Sequence, residues 1–397
     1  MKRMTGGEAV RLFCVRNAVP IVFLLVSAIG IYYSQFTAEY LIQEMLTRLA
    51  RNAFLVLSLL IPIMAGMGLN FGMVLGAMAG QIGLIFISDW NVSGLYGMTL
   101  AALIATPLAI LFGWMCGAVL NKARGREMVT SYILGFFMNG VYQLAVLYGF
   151  GSVVPILNPE LVLSRGYGIR NVTNLDGIRN TLDNAIPLDI MGIHIPLATF
   201  LVIGVFCLFI VWFRRTKLGQ DMRATGQDLG VAHAAGIPVM RTRIISIVIS
   251  TVLAAYGQII FLQNVGTLNT YNSHEQAGVF AIASLLVGGA TVARASILNV
   301  FTGVLLFHPK QQRRKLIVSG RGQRRVEIDF IDGPDDCAGQ QARGQNGDEK
   351  DESRNDHDPH QRVADDPQHA FRRAADAEHA AVVQPQRAVI AARAEGI

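Results

Sequence analysis

The sequence predicts an all-α fold: a polytopic transmembrane helical bundle with a glycine-rich broken-helix region and a disordered C-terminal tail. Two observations support the bundle. Of the 397 residues, 52% are hydrophobic and only 16% are charged, whereas a soluble globular chain carries about 25% charged residues. The apolar residues are also gathered into uncharged runs that approach or exceed the roughly 20 residues needed to cross a bilayer. Because the backbone must satisfy its own hydrogen bonds in lipid, such runs are expected to be helical.

The apolar runs give the number of membrane crossings. One run is long enough to cross twice, so seven runs predict seven or eight crossings in total. The first run follows several basic residues but has no small-residue cleavage site after it, so we expect an anchoring helix and not a signal peptide. The runs cover residues 18–34, 52–88, 95–120, 131–150, 196–213, 244–262 and 278–307.

Basic loops predict the orientation of the chain. Lys and Arg are concentrated in residues 121–130 and 214–243, and short cytoplasmic loops carry an excess of these residues. We therefore expect a multi-pass protein of the cytoplasmic (inner) membrane whose N-terminal residues 1–17 are cytoplasmic. Residues 151–195, with more acidic than basic side chains, should lie on the outer side.

A ladder of glycines marks the first half of the chain. In GMGLNFGMVLGAMAG, the residues Gly68, Gly72, Gly76 and Gly80 recur every four positions, which places them on one face of a helix. Glycines at this spacing let a second helix approach closely in a membrane, so we predict a helix-packing face. Asn70 is a polar residue within this glycine-rich segment, and polar groups at membrane depth usually face a cavity. We therefore expect Asn70 to line the translocation path.

The polar stretch RATGQDLGVAHAAGIPVMRTR, residues 223–243, predicts a short cytoplasmic helix. Thr225 and Asp228 have the spacing of N-cap and N3 residues, and Gly236 followed by Pro238 ends the helix. A helix over residues 226–235 would be about 15 Å long, which is too short to span the membrane. Its small side chains suit a surface that fits a groove in another protein.

Three stretches together resemble the permease subunits of ABC importers of the sugar and branched-chain amino-acid type. They are RATGQDLGVAHAAGIPVMRTR, GMGLNFGMVLGAMAGQIG and FAIASLLVGGATVARASILNVFTGVLLF. They occur in the order found in that family, and the resemblance covers about residues 52–307. The chain departs from the family at Asn70, where relatives carry an acidic residue, and at Ala293–Arg294–Ala295, which replaces a glycine pair.

The resemblance implies a transport function and a set of partners. Gly226, Ala232, Ala235, Gly236 and Ile237 correspond to the helix that docks in a cleft of a separate ATPase subunit. The family further implies a second permease subunit, identical or different, and an extracytoplasmic solute-binding protein. The cargo would be a small polar solute such as a sugar or nucleoside. A branched-chain amino acid is the alternative cargo.

Several function classes are disfavoured by the residues themselves. No G-x-x-x-x-G-K-[ST] phosphate loop occurs, so a partner would supply ATP hydrolysis. We identify no catalytic residue, metal site or cofactor, and the scattered basic residues do not form a nucleic-acid patch. His274 and Glu275 lie in a polar string that we interpret as an external loop. An ion-coupled secondary transporter remains an alternative, although such carriers need ionisable residues within their spans.

The chain divides into three regions: the N-terminus at 1–17, a permease domain at 18–307 with the coupling loop 214–243, and a tail at 308–397. The tail has no apolar run longer than a few residues, so it cannot bury enough surface to fold. Related permeases continue with membrane helices at this position. We therefore interpret the tail as the product of a frameshift near His308, and a genuine flexible cytoplasmic extension is the alternative.

Overall fold

The computed structural model describes residues 18–34, 37–123, 125–164, 166–190 and 193–307. The predicted cytoplasmic N-terminus at 1–17 and the predicted disordered tail at 308–397 lie outside these residues.

The described residues are mostly helical, which confirms this part of the predicted fold class. A π-helical turn at Ala145–Gly149 follows directly on the sixth helix. Twelve α-helices occur in the described part of the chain. They are α1 Ala18–Ser34, α2 Ala38–Leu57, α3 Leu60–Met64, α4 Met73–Asp89, α5 Gly94–Lys122, α6 Glu127–Leu144, α7 Leu197–Phe213, α8 Lys217–Gln227, α9 Leu229–Ala234, α10 Val239–Val265, α11 Ser273–Val287 and α12 Ile297–Phe307.

The prediction of an all-α fold is wrong in one respect, because two small antiparallel sheets are present. Strand β1, Val172–Asn174, pairs with β4, Thr267–Asn269. Strand β2, Pro187–Ile190, pairs with β3, Ile193–Pro196. Three of the four strands fall in the segment predicted to lie outside the membrane, where the demand for helices does not apply. β-Branched residues in these strands also favour extended backbone.

The number of crossing helices differs from the prediction of seven or eight. Within the described residues, three helices are long and apolar enough to cross a membrane: Gly94–Lys122, Glu127–Gly149 and Val239–Val265. The bent pair Leu197–Phe213 and Lys217–Gln227, with 73° between its members, would make a fourth. Part of the difference arises because the first run forms a helix of only 17 residues, and part because breaks in the backbone divide two other apolar runs. The run 52–88 is split among α2, α3 and α4, and the run 278–307 between α11 and α12.

Helices α4, α5 and α10 form the centre of the packed core. Helix α4 is buried along nearly its whole length, and α10 buries residues on every turn from Val239 to Gln263. Two reciprocal hydrogen bonds fix α2 to the β2–β3 hairpin: Gln43 Nε2 donates to His194 O at 2.8 Å, and His194 N donates to Gln43 Oε1 at 2.7 Å. These bonds place the first half of α2 against the segment that was predicted to lie outside.

Candidate functional site

The predicted coupling segment contains two helices joined at Asp228. Asp228 has an extended backbone (φ −155°, ψ 117°), and its Oδ1 accepts hydrogen bonds from Gly230 N at 2.7 Å and Val231 N at 3.0 Å. Aspartate is among the preferred N-cap residues because its side chain satisfies free N–H groups of the first turn. The prediction of one helix over residues 226–235 is therefore wrong. Helix α9 begins at Leu229, Gly226 belongs to the last turn of α8, and Thr225 is a helical residue of α8.

The five residues predicted to contact an ATPase occupy different environments. Ala232 is buried against the rest of the chain at 2% exposure, whereas Ala235 and Gly236 are exposed and Ile237 is half-buried. Gly236 adopts a left-handed backbone (φ 79°) that ends α9. On the same surface, Leu229 and Val231 are 40% and 66% exposed.

Gly226 connects the coupling segment to the core. A Cβ added at Gly226 would collide with the carbonyl oxygen of Met64 and lie 2.9 Å from Gly66 N. Gly66 has a left-handed backbone, and its own Cβ would lie 2.7 Å from Gly226 Cα. The last turn of α8 thus packs backbone against backbone on the end of α3. Any residue larger than glycine at either position would push the two segments apart.

The break between α3 and α4 contains Asn70, which was predicted to line the translocation path. Asn70 is buried at 1% exposure, and its Oδ1 accepts a hydrogen bond from Gly72 N at 2.9 Å. Its Nδ2 has no hydrogen-bond partner among the described residues. A buried amide group without a partner costs free energy, and the role of Asn70 in a translocation path stays a prediction. The next residue, Phe71, lines a pocket described below.

The four glycines of the predicted packing face meet different neighbours. A Cβ at Gly76 would collide with the carbonyl oxygen of Thr251, and a Cβ at Gly80 would lie 2.6 Å from that of Ala255; both oxygens belong to α10. Gly72 precedes α4 and lies against α5, whereas Gly68, with φ 67°, lies in the loop before α4 and faces the Val292 side chain. Only Gly76 and Gly80 are within α4, where they approach the backbone of α10.

The structure brings together a polar cluster that the sequence analysis did not find. We define it as Gln81, Asn139, Tyr142, His274 and Glu275, from helices α4, α6 and α11. His274 Nδ1 lies 2.8 Å from Gln81 Oε1, and its Nε2 lies 2.9 Å from Asn139 Oδ1. Tyr142 Oη donates to Gln81 Oε1 at 3.1 Å, and Asn139 Nδ2 donates to Glu275 Oε2 at 3.2 Å.

The polar cluster corrects the interpretation of residues around His274 as an external loop. His274 is completely buried and lies in the first turn of α11, directly followed by Glu275. The ring of Tyr142 packs edge-on against the His274 ring, with 4.8 Å between ring centroids. The hydrogen bonds of His274 join residues more than 130 positions apart in the sequence, so no local pattern could reveal them.

An open pocket adjoins the polar cluster. Its lining includes Phe71, Tyr132, Phe136, Asn139, Glu275 and Val279. Most of the lining is apolar, and Asn139 and Glu275 supply its amide and carboxylate groups. This composition is typical of small-molecule sites, in which a few polar groups orient the ligand.

Among the described residues, no group of three or more His, Cys, Asp or Glu side chains could hold a metal ion. The helices that are long and apolar enough to cross a membrane indicate a membrane protein.

Comparison with known proteins identifies the family. Residues 16–316 match the family "Branched-chain amino acid transport system / permease component", and the chain belongs to this family. It is a permease subunit of an ABC importer and not an enzyme, and family members work with ATPase and solute-binding partners. The match also establishes it as a membrane protein.

Three curated relatives are each less than 30% identical to this chain. The "Autoinducer 2 import system permease protein LsrD" of Photorhabdus temperata is 26% identical over 65% of this chain and 70% of its own length. The protein of the same name from Photorhabdus luminescens is 28% identical over 64% and 68%. That of Escherichia coli strain K12 / DH10B is 24% identical over 64% and 69%. No solved structure shows significant similarity to the chain.

Proposed function

We propose that this chain, paired with a second permease subunit, carries a small hydroxylated solute such as a sugar or nucleoside across the cytoplasmic membrane. An extracytoplasmic binding protein would deliver the solute, and an ATPase would bind the exposed surface of α9. Relatives named as autoinducer 2 importers support import of a small polar molecule. The family description keeps a branched-chain amino acid as the alternative cargo.

The observation that carries the proposal is the direct backbone contact between Gly226 of α8 and the end of α3. When ATP closes the ATPase dimer, the exposed Leu229 and Val231 of α9 would move with the ATPase surface. Asp228 holds α9 to α8 through its cap. The contact of Gly226 with Met64 and Gly66 would then pass the displacement to the broken segment that carries Asn70.

This route links the cytoplasmic surface to the path of the solute. The backbone of Gly66 and Gly68 is left-handed, so the segment between α3 and α4 has irregular backbone in an apolar chain. Such backbone is tolerated at membrane depth where it is buried in protein or lines a cavity. A change of position there would alter the surroundings of Asn70 and Phe71 first.

The test replaces Gly226 with Val in the full-length chain, reconstituted with its ATPase and binding protein. The added side chain must separate α8 from α3, so we expect ATP-driven uptake to fall at least about tenfold while ATP hydrolysis continues, which is uncoupling. Gly204→Val in α7 is the matched control, because a Cβ at Gly204 meets nothing within 4 Å. Coupled uptake by Gly226→Val equal to that of the control would contradict the route.

A second variant tests the docking surface. Val231→Glu places a charge on the exposed face of α9 without touching the buried Ala232, so we expect the ATPase to dissociate during purification of the complex. Retention of the ATPase by this variant would move the docking surface elsewhere. Uptake driven by a proton or sodium gradient and independent of ATP would instead favour the secondary transporter.

A further inference from the structure

We propose that Asn139 and Glu275 form the solute-contacting site of this permease, with His274 and Gln81 as positioning residues, and that the site takes a neutral hydroxylated solute and rejects amino acids. The inference rests on the proposed function, because a solute must pass through the chain for such a site to exist.

The first argument is the environment of the two residues. Asn139 and Glu275 are half-buried on a surface whose other members, such as Tyr132, Phe136 and Val279, are apolar and exposed. A carboxylate and an amide that faced hydrocarbon would be costly, so ionisable residues in membrane helices face a cavity or the interior of an assembly. The pocket therefore faces water or the second permease subunit.

The second argument is that the buried half of the polar cluster holds the exposed half in place. His274 uses both ring nitrogens inside the cluster, one toward Gln81 and one toward Asn139. Because Asn139 Oδ1 is hydrogen-bonded to His274, the Nδ2 of Asn139 is directed toward Glu275. A binding group whose orientation is fixed by a buried partner is pre-organised, so less free energy is lost when a ligand binds.

The third argument concerns charge and identifies the class of solute. None of the described residues that line the pocket is basic, and Glu275 is the charged group among them. The carboxylate of an amino acid would meet a like charge there with no cationic partner. Hydroxyl groups, in contrast, can donate to the Glu275 carboxylate and to other acceptors, and the rings of Phe71 and Phe136 offer apolar faces to the carbon skeleton of a sugar.

The first experiment asks whether the pocket contacts water. Val279→Cys and, as a lipid-facing control, Leu208→Cys are made in full-length chains whose native cysteines are replaced by Ser. Leu208 is 70% exposed on the apolar surface of α7. In the assembled complex, a membrane-impermeant cationic methanethiosulfonate reagent should modify Val279→Cys at least about tenfold faster than Leu208→Cys. Equal, slow modification of both would overturn the proposal.

The second experiment asks which solute the site recognises. Uptake of radiolabelled D-ribose, autoinducer 2 and L-leucine is measured with the complex in proteoliposomes containing ATP. We expect uptake of one or both hydroxylated solutes but not of L-leucine, and Glu275→Gln should raise KM about tenfold because a charged acceptor is lost. Glu44→Gln, which removes a carboxylate of α2 outside the pocket, is the control and should leave KM unchanged.

The outcomes separate this inference from the proposed function. ATP-driven uptake of L-leucine, or an unchanged KM in Glu275→Gln, would overturn the assignment of the site while leaving the importer intact. Failure of the ATPase to associate, or uptake that does not depend on ATP, would overturn the proposed function itself. A smaller rise in KM for His274→Gln than for His274→Leu would support a positioning role, because glutamine retains a hydrogen-bond donor toward Asn139.

Discussion

Helix α10 and helix α6 are attached to the core in different ways. Helices α4 and α5 meet α10 through glycines: Gly80 would place a Cβ 2.6 Å from Ala255 O, and Gly117 one 3.1 Å from Ile244 Cα. At Gly135 of α6, by contrast, the nearest atom to an added Cβ is Phe71 O at 3.9 Å. Helix α6 is joined to its neighbours by polar side chains.

The polar contacts of α6 occur along its whole length. Ser131 Oγ accepts a hydrogen bond from Phe71 N at 3.2 Å, and Asn139 and Tyr142 belong to the polar cluster. At its start, Glu127 forms an ion pair with the buried Arg243 of α10.

This difference between the interfaces of α10 and α6 indicates which of them can move. Two closely packed backbones have one favourable arrangement, because even a small separation between them weakens all of their dispersion contacts at once. Polar side chains can exchange one partner for another, including a solute or water. The π-helical turn that follows α6 agrees with this view, since such turns are frequent at functional sites. We infer that α4, α5 and α10 move as a unit and that α6 moves relative to them.

The largest expected effect follows from breaking the ion pair. Glu127→Ala leaves Arg243, which is 1% exposed, as an unpaired buried charge, and removal of one partner of a buried pair costs about 3–5 kcal/mol of unfolding free energy. The double variant Glu127→Ala/Arg243→Met should recover much of this loss, because no charge stays buried. Chemical unfolding of the purified protein in mixed micelles measures both. A double variant no more stable than the single one would contradict this account.

An intermediate effect is expected at the glycine interface. Gly76→Val forces a side chain into the backbone of α10, and overpacking of this kind costs about 1–3 kcal/mol. Gly140→Val on α6 is the control, because a Cβ there meets nothing within 4 Å. Thermal unfolding followed by size-exclusion chromatography measures the difference. Equal melting temperatures for the two variants would show that the interface is looser than described.

The smallest effect on stability is expected at the polar cluster. Tyr142→Phe removes one hydrogen bond to Gln81, and such bonds contribute about 0.6 kcal/mol on average in a membrane protein. Tyr256→Phe is the matched control, since Tyr256 Oη and Thr106 Oγ1 are 2.8 Å apart between α10 and α5. We expect similar losses of stability from both variants, but a changed rate of uptake only from Tyr142→Phe. An equal change of uptake in both would remove the distinction between the two interfaces.

The helical elements could be predicted from the sequence because hydrophobic runs and glycine spacing are local signals. The four-residue spacing put Gly76 and Gly80 on one face, and both lie against α10. The bounds of α9 were missed because Thr225 and Asp228 fit a capping pair, whereas the side chain of Asp228 bonds the N–H groups that follow it. The polar cluster was missed for a different reason. The string around His274 is polar like an external loop, and its burial depends on Gln81 and Asn139, which are far away in the sequence.

Asp228, the residue with extended backbone between α8 and α9, connects the two helices. Its N–H donates to Ala224 O at the end of α8 and its side chain caps α9, so a displacement of α9 reaches α8 through this one residue.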